Sequence, residues 1–148
     1  MKNGFAIYQP KIIHQPFYNA FKTRDITNGI ILKSDNENYN KKDLAHAYVN
    51  VKGEIKIFID DSLTYYNNTY LIIKILVVNK REHRNEGLNY IVSNTDFLKA
   101  AQLDAIAWLC REWCVKYYTD NIINQAGDMF PMDLLKKYIS NNGFTKYE

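Results

Sequence analysis

The nine residues Tyr70-Leu71-Ile72-Ile73-Lys74-Ile75-Leu76-Val77-Val78 are apolar at every position facing either side of an extended chain, except at Lys74. Side chains of a strand alternate between two faces, so a run without alternation has no face to offer to water. It belongs in the interior of a sheet that is covered on both sides. The rest of the chain must supply those covers. A length of 148 residues suits a single domain, 1–148, able to bury roughly 70% of its unfolded surface. With 47% hydrophobic residues, only six glycines and three prolines, the composition is that of a globular protein with little linker material.

Strand signals precede this run. Gly29-Ile30-Ile31-Leu32-Lys33 reads as a strand, and Ser34 to Asp43 as an exposed polar loop. From Leu44 to Val51, Ala45, Ala47, Val49 and Val51 alternate with Leu44, His46, Tyr48 and Asn50, and from Glu54 to Asp60 three isoleucines alternate with Lys56, Phe58 and Asp60. Only Lys52-Gly53 lies between these runs, which predicts an antiparallel hairpin on a two-residue turn. Before them, Pro16 opens a short helix whose face holds Phe17, Ala20 and Phe21.

Helix signals follow it. Ser93 and Asp96 have capping-box spacing, and Leu98, Ala101, Ala105, Leu109 and Trp113 recur on one helical face, which predicts a helix to about Tyr117 with a tryptophan buried. Asn121-Ile122-Ile123 is a weak strand. Pro131 and Asp133 open a last helix, Leu134, Leu135, Tyr138 and Ile139 form its buried face, and Gly143 with Phe144 closes it. The expected fold class is α/β: a mixed, largely antiparallel sheet, a β-meander, with a helical C-terminal half.

Several classes of function are excluded by the totals. No apolar run approaches the roughly 18 residues of a membrane span, and Met1 to Phe5 lacks the apolar core of a signal peptide, so a cytoplasmic location is expected. The formal net charge of +3, from 19 basic and 16 acidic residues, is not that of a dedicated nucleic-acid binder. Cys110 and Cys114 share a helical face as reduced, buried thiols, and His14, His46 and His83 fall in three segments without ligand spacing, so no metal site is expected. Heavy use of Asn, Lys, Ile and Tyr points to an AT-rich genome, that of a low-GC bacterium or its phages and mobile elements.

The junction after the apolar strand carries a family resemblance. Val77-Val78 runs on to Arg84-Asn85-Glu86-Gly87-Leu88-Asn89, and Arg84, Gly87 and Asn89 occupy the marked positions of an Arg/Gln-x-x-Gly-x-Gly/Ala loop. Here the chain resembles the GNAT superfamily of acyl-CoA N-acetyltransferases. A second likeness is the late helix with Tyr138 before Gly143-Phe144. The resemblance implies that Val77, Val78 and Arg84 to Asn89 bind acetyl-CoA, whose pyrophosphate would rest on the N–H groups of a helix N-terminus. It also implies that Tyr138 is the catalytic acid and that a small-molecule or protein amine accepts the acetyl group. The competing reading is a non-enzymatic phage or mobile-element protein docking on a host protein through its tryptophans and tyrosines, or holding nucleic acid at Lys80, Arg81, His83 and Arg84 beside Tyr65 and Tyr66.

Overall fold

A computed structural model describes residues 9–15, 21–36, 44–64, 68–79, 89–93 and 95–140. In chain order these form β1 (Ile12–His14), β2 (Lys22–Thr23), β3 (Gly29–Asn36), β4 (Ala47–Val49), β5 (Ile55–Ile57), β6 (Leu63–Thr64), β7 (Tyr70–Asn79), β8 (Asn89–Ile91), β9 (Asp96–Lys99), α1 (Ala100–Lys116), β10 (Ile122–Gln125) and α2 (Met132–Ser140). The chain has the expected mixed α/β architecture. Its main sheet runs β1-β5-β4-β7-β3-β10, with β9 pairing the end of β7 and β8 pairing β9, while β2 and β6 form a separate antiparallel ribbon.

The interior place of Tyr70–Asn79 follows from its composition. β7 lies between β3 and β4, parallel to both, and Leu71 to Val78 are all buried. Burying each large aliphatic side chain is worth roughly 1.5–3 kcal/mol, so this strand anchors the fold. One face carries Ile73, Ile75 and Val77 against Leu103, Ile106, Leu109 and Trp113 of α1 and Leu135 of α2. The other carries Ile72 and Leu76 in a smaller cluster with Ala45, Tyr48 and Phe58. Both helices belong to the first face.

β4 and β5 form the expected antiparallel hairpin, with Val49 opposite Ile55. Its turn is one residue longer than the sequence suggested. The Asn50 N–H donates to Glu54 O and the Gly53 N–H to Asn50 O, so Val51, Lys52 and Gly53 all belong to the loop. Gly53 has φ +81°, as the last residue of a three-residue loop requires. The Asn50 carboxamide oxygen accepts from the N–H groups of Lys52 and Glu54, a turn-forming role that the residue type favours.

The helix expected from Ser93 begins instead at Ala100. Ser93 Oγ does accept from the Asp96 N–H at 3.1 Å, but the residues that follow extend as β9, with Phe97 opposite Val78 and Leu98 opposite Tyr90. Strand pairing at the end of β7 outweighs the local capping signal, because Phe97 and Leu98 are both buried by it. The true helix start is marked by Gln102. Its side chain accepts from the Lys99 N–H at 2.8 Å and donates to Leu76 O at 2.8 Å, and the residue has no exposed surface. Gln102→Leu leaves both backbone groups without that partner and is expected to cost about 2–4 kcal/mol, read as a lowered urea midpoint. An unchanged midpoint would contradict this role.

β10 forms where the weak strand Asn121-Ile122-Ile123 was expected, parallel to β3. The last helix opens beside Pro131 with Asp133 in its first turn. Leu135 is fully buried there, with Leu134, Tyr138 and Ile139 packed at the edge of the same core. Residues 16–20 of the expected short helix and the Gly143-Phe144 closure lie outside the described residues, and Phe21, expected on that helix's face, is not helical and leads directly into β2.

Candidate functional site

Of the residues singled out by the acetyltransferase resemblance, Val77, Val78, Asn89 and Tyr138 are among the described residues. Val77 and Val78 are buried at the end of β7, where Val78 is held against β9. Asn89 opens a strand and lies opposite Lys99, not at a helix N-terminus. Arg84, Asn85, Glu86, Gly87 and Leu88 lie outside the described residues. Tyr138 sits on α2 at the margin of the core; burial first, and then the charge of and a hydrogen bond with Tyr90, push its phenol above the usual range. The geometry that receives a pyrophosphate needs converging amides at the start of a helix, and the described continuation of β7 is strand pairing on both β8 and β9.

A different constellation crosses the sheet on the face away from the helices. In register, Gln125 of β10 lies beside Lys33 of β3, Lys33 beside Lys74 of β7, Lys74 beside Tyr48 of β4, and Tyr48 beside Lys56 of β5. Residues in register on neighbouring strands share a face, so this is one polar row across five strands. Lys74 is its centre. It is 1% exposed, and its Nζ lies 3.5 Å from Oδ2 of Asp35, which sits two residues beyond Lys33 toward the carboxyl end of β3. Tyr48 is equally buried, its ring edge-on to Phe58 at 4.7 Å. Lys33, Lys74 and Lys56 bring three ammonium groups to this row and Asp35 one carboxylate beside Lys74, a balance that favours an anionic ligand.

His46 precedes β4, lies edge-on to Trp113 of α1 at 6.4 Å, and is structural. Its Nδ1 accepts from the Ile72 N–H at 3.1 Å, and its Nε2 lies 2.8 Å from Leu63 O. These bonds require the neutral ring with the proton on Nε2. Burial lowers its pKa to about 4, with Arg24 adding to the effect and the Leu63 carbonyl, Asp61 and Asp60 opposing it. Asp61 holds the lower end of α1: burial opposes its charge, but hydrogen bonds from Lys116 and Tyr117 outweigh that and keep its carboxyl below the usual range. Cys110 and Cys114 are free thiols, both pushed up by burial, so neither is an activated nucleophile.

Neither a family model nor a curated protein sequence matches the chain. Its fold is that of peptidoglycan amidases and peptidoglycan recognition proteins. The N-acetylmuramoyl-L-alanine amidase LysC of Clostridium intestinale URNW superposes with a TM-score of 0.66 at 14% identity, over 89% of this chain and 99% of that one. The Ph2119 endolysin of a Thermus scotoductus MAT2119 bacteriophage gives 0.56 at 11%, over 87% and 99%. Drosophila peptidoglycan recognition protein SD gives 0.53 at 10%, over 85% and 94%.

These likenesses overturn the functional expectations drawn from the sequence. The fold is not that of a GNAT acetyltransferase, so acetyl-CoA as cofactor and an amine as acetyl acceptor are withdrawn with it. Docking on a host protein or on nucleic acid is likewise unsupported by a fold whose neighbours are named for peptidoglycan. Amide hydrolysis is commonly run by a zinc ion on three His, Cys or carboxylate ligands. Among the described residues no three such side chains come together, and the centre of the polar row is a lysine, whose charge repels a cation. The described residues therefore do not fit a metal there.

Lys74 is the residue that sequence reasoning passed over, although its signal was plain. It is the single charge in a run otherwise apolar on both faces, and buried charges are uncommon enough to make such a position a candidate.

Proposed function

We propose that this chain is a peptidoglycan-directed protein that takes a glycan-linked peptide on the sheet face away from the helices, at the partly exposed Lys33 and Lys56, with Lys74 and Tyr48 buried between them in the same row. The observation that supports the reading is Lys74, buried to 1% exposure and paired with Asp35, within a fold shared with three proteins named for peptidoglycan or cell lysis. Wall peptides end in carboxylates, and an ammonium in a dry setting makes charge-assisted hydrogen bonds to them. Asp35 holds Lys74 in place, while the partly exposed Lys33 meets the ligand first. A cytoplasmic location belongs to the same proposal and is checked by fractionating cells that express the chain. Among the described residues no helix is long and apolar enough to cross a membrane.

The test is co-sedimentation with purified peptidoglycan sacculi, with release of alanine-led peptides measured in the same samples. The chain is expected to sediment with sacculi. Lys33→Glu is expected to weaken retention about tenfold or more, because one charged contact is worth about 1.5–3 kcal/mol. Lys74→Met keeps the volume of the side chain and is expected to fold but bind poorly. Absence of sedimentation at low salt, or equal retention of both variants, rejects the proposal.

A further inference from the structure

A concave site lies on the helical face of the sheet, at its β1–β5 edge. Helix α1 and the paired edge strands β1 and β5 enclose about 500 Å³, within the range of small-molecule sites. Trp108, Arg111, Glu112 and Val115 are spaced three or four apart on α1 and line one wall. Ile12, Ile57 and His14 line the other, with Asp60 and Asp61 at the end of the hairpin strand. Trp113 forms part of the floor and is only 5% exposed, whereas Trp108 is half-buried at the core's edge. Val115 is 70% exposed at the rim.

The chemistry of this lining selects among ligands. A wholly apolar ligand would leave the carboxylates of Asp60 and Glu112 and the guanidinium of Arg111 facing it. A strongly anionic or cationic ligand would meet a like charge on one side or the other. A neutral sugar ring fits both features. Its C–H face packs flat on an indole, and its hydroxyls donate to carboxylates and accept from guanidinium. Asp61 is already engaged by Lys116 at 2.7 Å and by Tyr117, which fixes the end of α1 and so the position of Trp108 over the cavity.

We infer that this cavity is a saccharide-binding site, with Trp108 as the stacking platform and Glu112 and Arg111 as hydroxyl partners. Such a site holds a glycan chain independently of the polar row, since the two lie on opposite faces of the sheet. The choice of an N-acetylglucosamine chain as probe rests on the peptidoglycan reading; the cavity itself does not.

Chitotetraose is the probe, and titration followed by tryptophan fluorescence and by calorimetry is the measurement. The native chain is expected to show saturable binding. Trp108→Ala is expected to lower the affinity about tenfold or more, and Glu112→Gln to lower it several-fold. Trp108→Phe keeps a smaller ring, is expected to retain part of the affinity, and decides the matter if the alanine variant does not fold. Lys136→Ala, at an exposed position of α2 outside the cavity lining, is expected to leave chitotetraose binding unchanged. Lack of saturable binding, or binding that Trp108→Phe and Glu112→Gln leave at the native level, overturns the site. Sacculus binding that fails while chitotetraose binding persists would instead reject the role of the polar row alone.

Discussion

Gly127→Ala is expected to cost about 4 kcal/mol, a large part of the 5–15 kcal/mol that holds a domain of this kind together. Gly127 has φ +148°, and a Cβ placed there would lie 2.1 Å from Val92 O and 3.0 Å from Val92 C. Both are backbone atoms that no rotamer change can move. The contact matters because it joins three parts of the fold: Met129 N–H donates to the same Val92 O, and Asn124 Nδ2 donates to Gly127 O. Backbone strain contributes roughly 1–3 kcal/mol and forced overpacking a similar amount. Urea denaturation measures the sum, and a loss under about 1 kcal/mol would show that the β8 and β10 connections yield easily.

Acidification is expected to remove about 3 kcal/mol of stability through His46. The ring is held neutral in the folded chain with a pKa of about 4, against 6.5 when unfolded. Above 6.5 both states are neutral and the group contributes nothing to pH dependence. As pH falls from 6.5 toward 4 the unfolded chain takes up a proton that the folded chain refuses, so stability is lost across that window. Each pKa unit between the two states is worth about 1.4 kcal/mol, which gives the stated magnitude. Protonation would also abolish the bond that Nδ1 accepts from Ile72. Asp61, whose folded pKa is depressed, acts in the same sense, its contribution being lost as pH falls through its folded pKa. Thermal melting between pH 7 and 4 is the measurement, with His46→Gln expected to flatten the profile while lowering stability at neutral pH. A native melting temperature that is flat over this range would contradict the proposed burial of a neutral imidazole.

Local patterning was enough for the elements whose burial is decided by their own composition. Tyr70–Asn79 lacks a polar face, so any fold of this chain had to place it inside a sheet. The alternation on either side of Lys52-Gly53 likewise required a hairpin, and the spacing of Leu134, Leu135, Tyr138 and Ile139 required a helix lying on the core. Choices between partners were different in kind. That β7 pairs in parallel with both β3 and β4 depends on segments far apart in the chain. No short window shows the pairing. Ser93 and Asp96 make a sound capping pattern, yet Phe97 and Leu98 gain more by pairing with β7 and β8 than by starting a helix.

The candidate site was legible only in part, and for the same reason. Lys74 stands out in the sequence as a charge where none should be. Its neighbours Lys33, Tyr48, Lys56 and Gln125 come from four other strands, and their sequence separations carry no common spacing. The loop from Arg84 to Asn89 attracted notice because its motif is contiguous, whereas the polar row is assembled by register. Side-chain periodicity is a property of the chain and can be read from it; register between strands is settled by the packing of the whole sheet, and it is register that set Asp35 beside Lys74 and placed three lysines on one face.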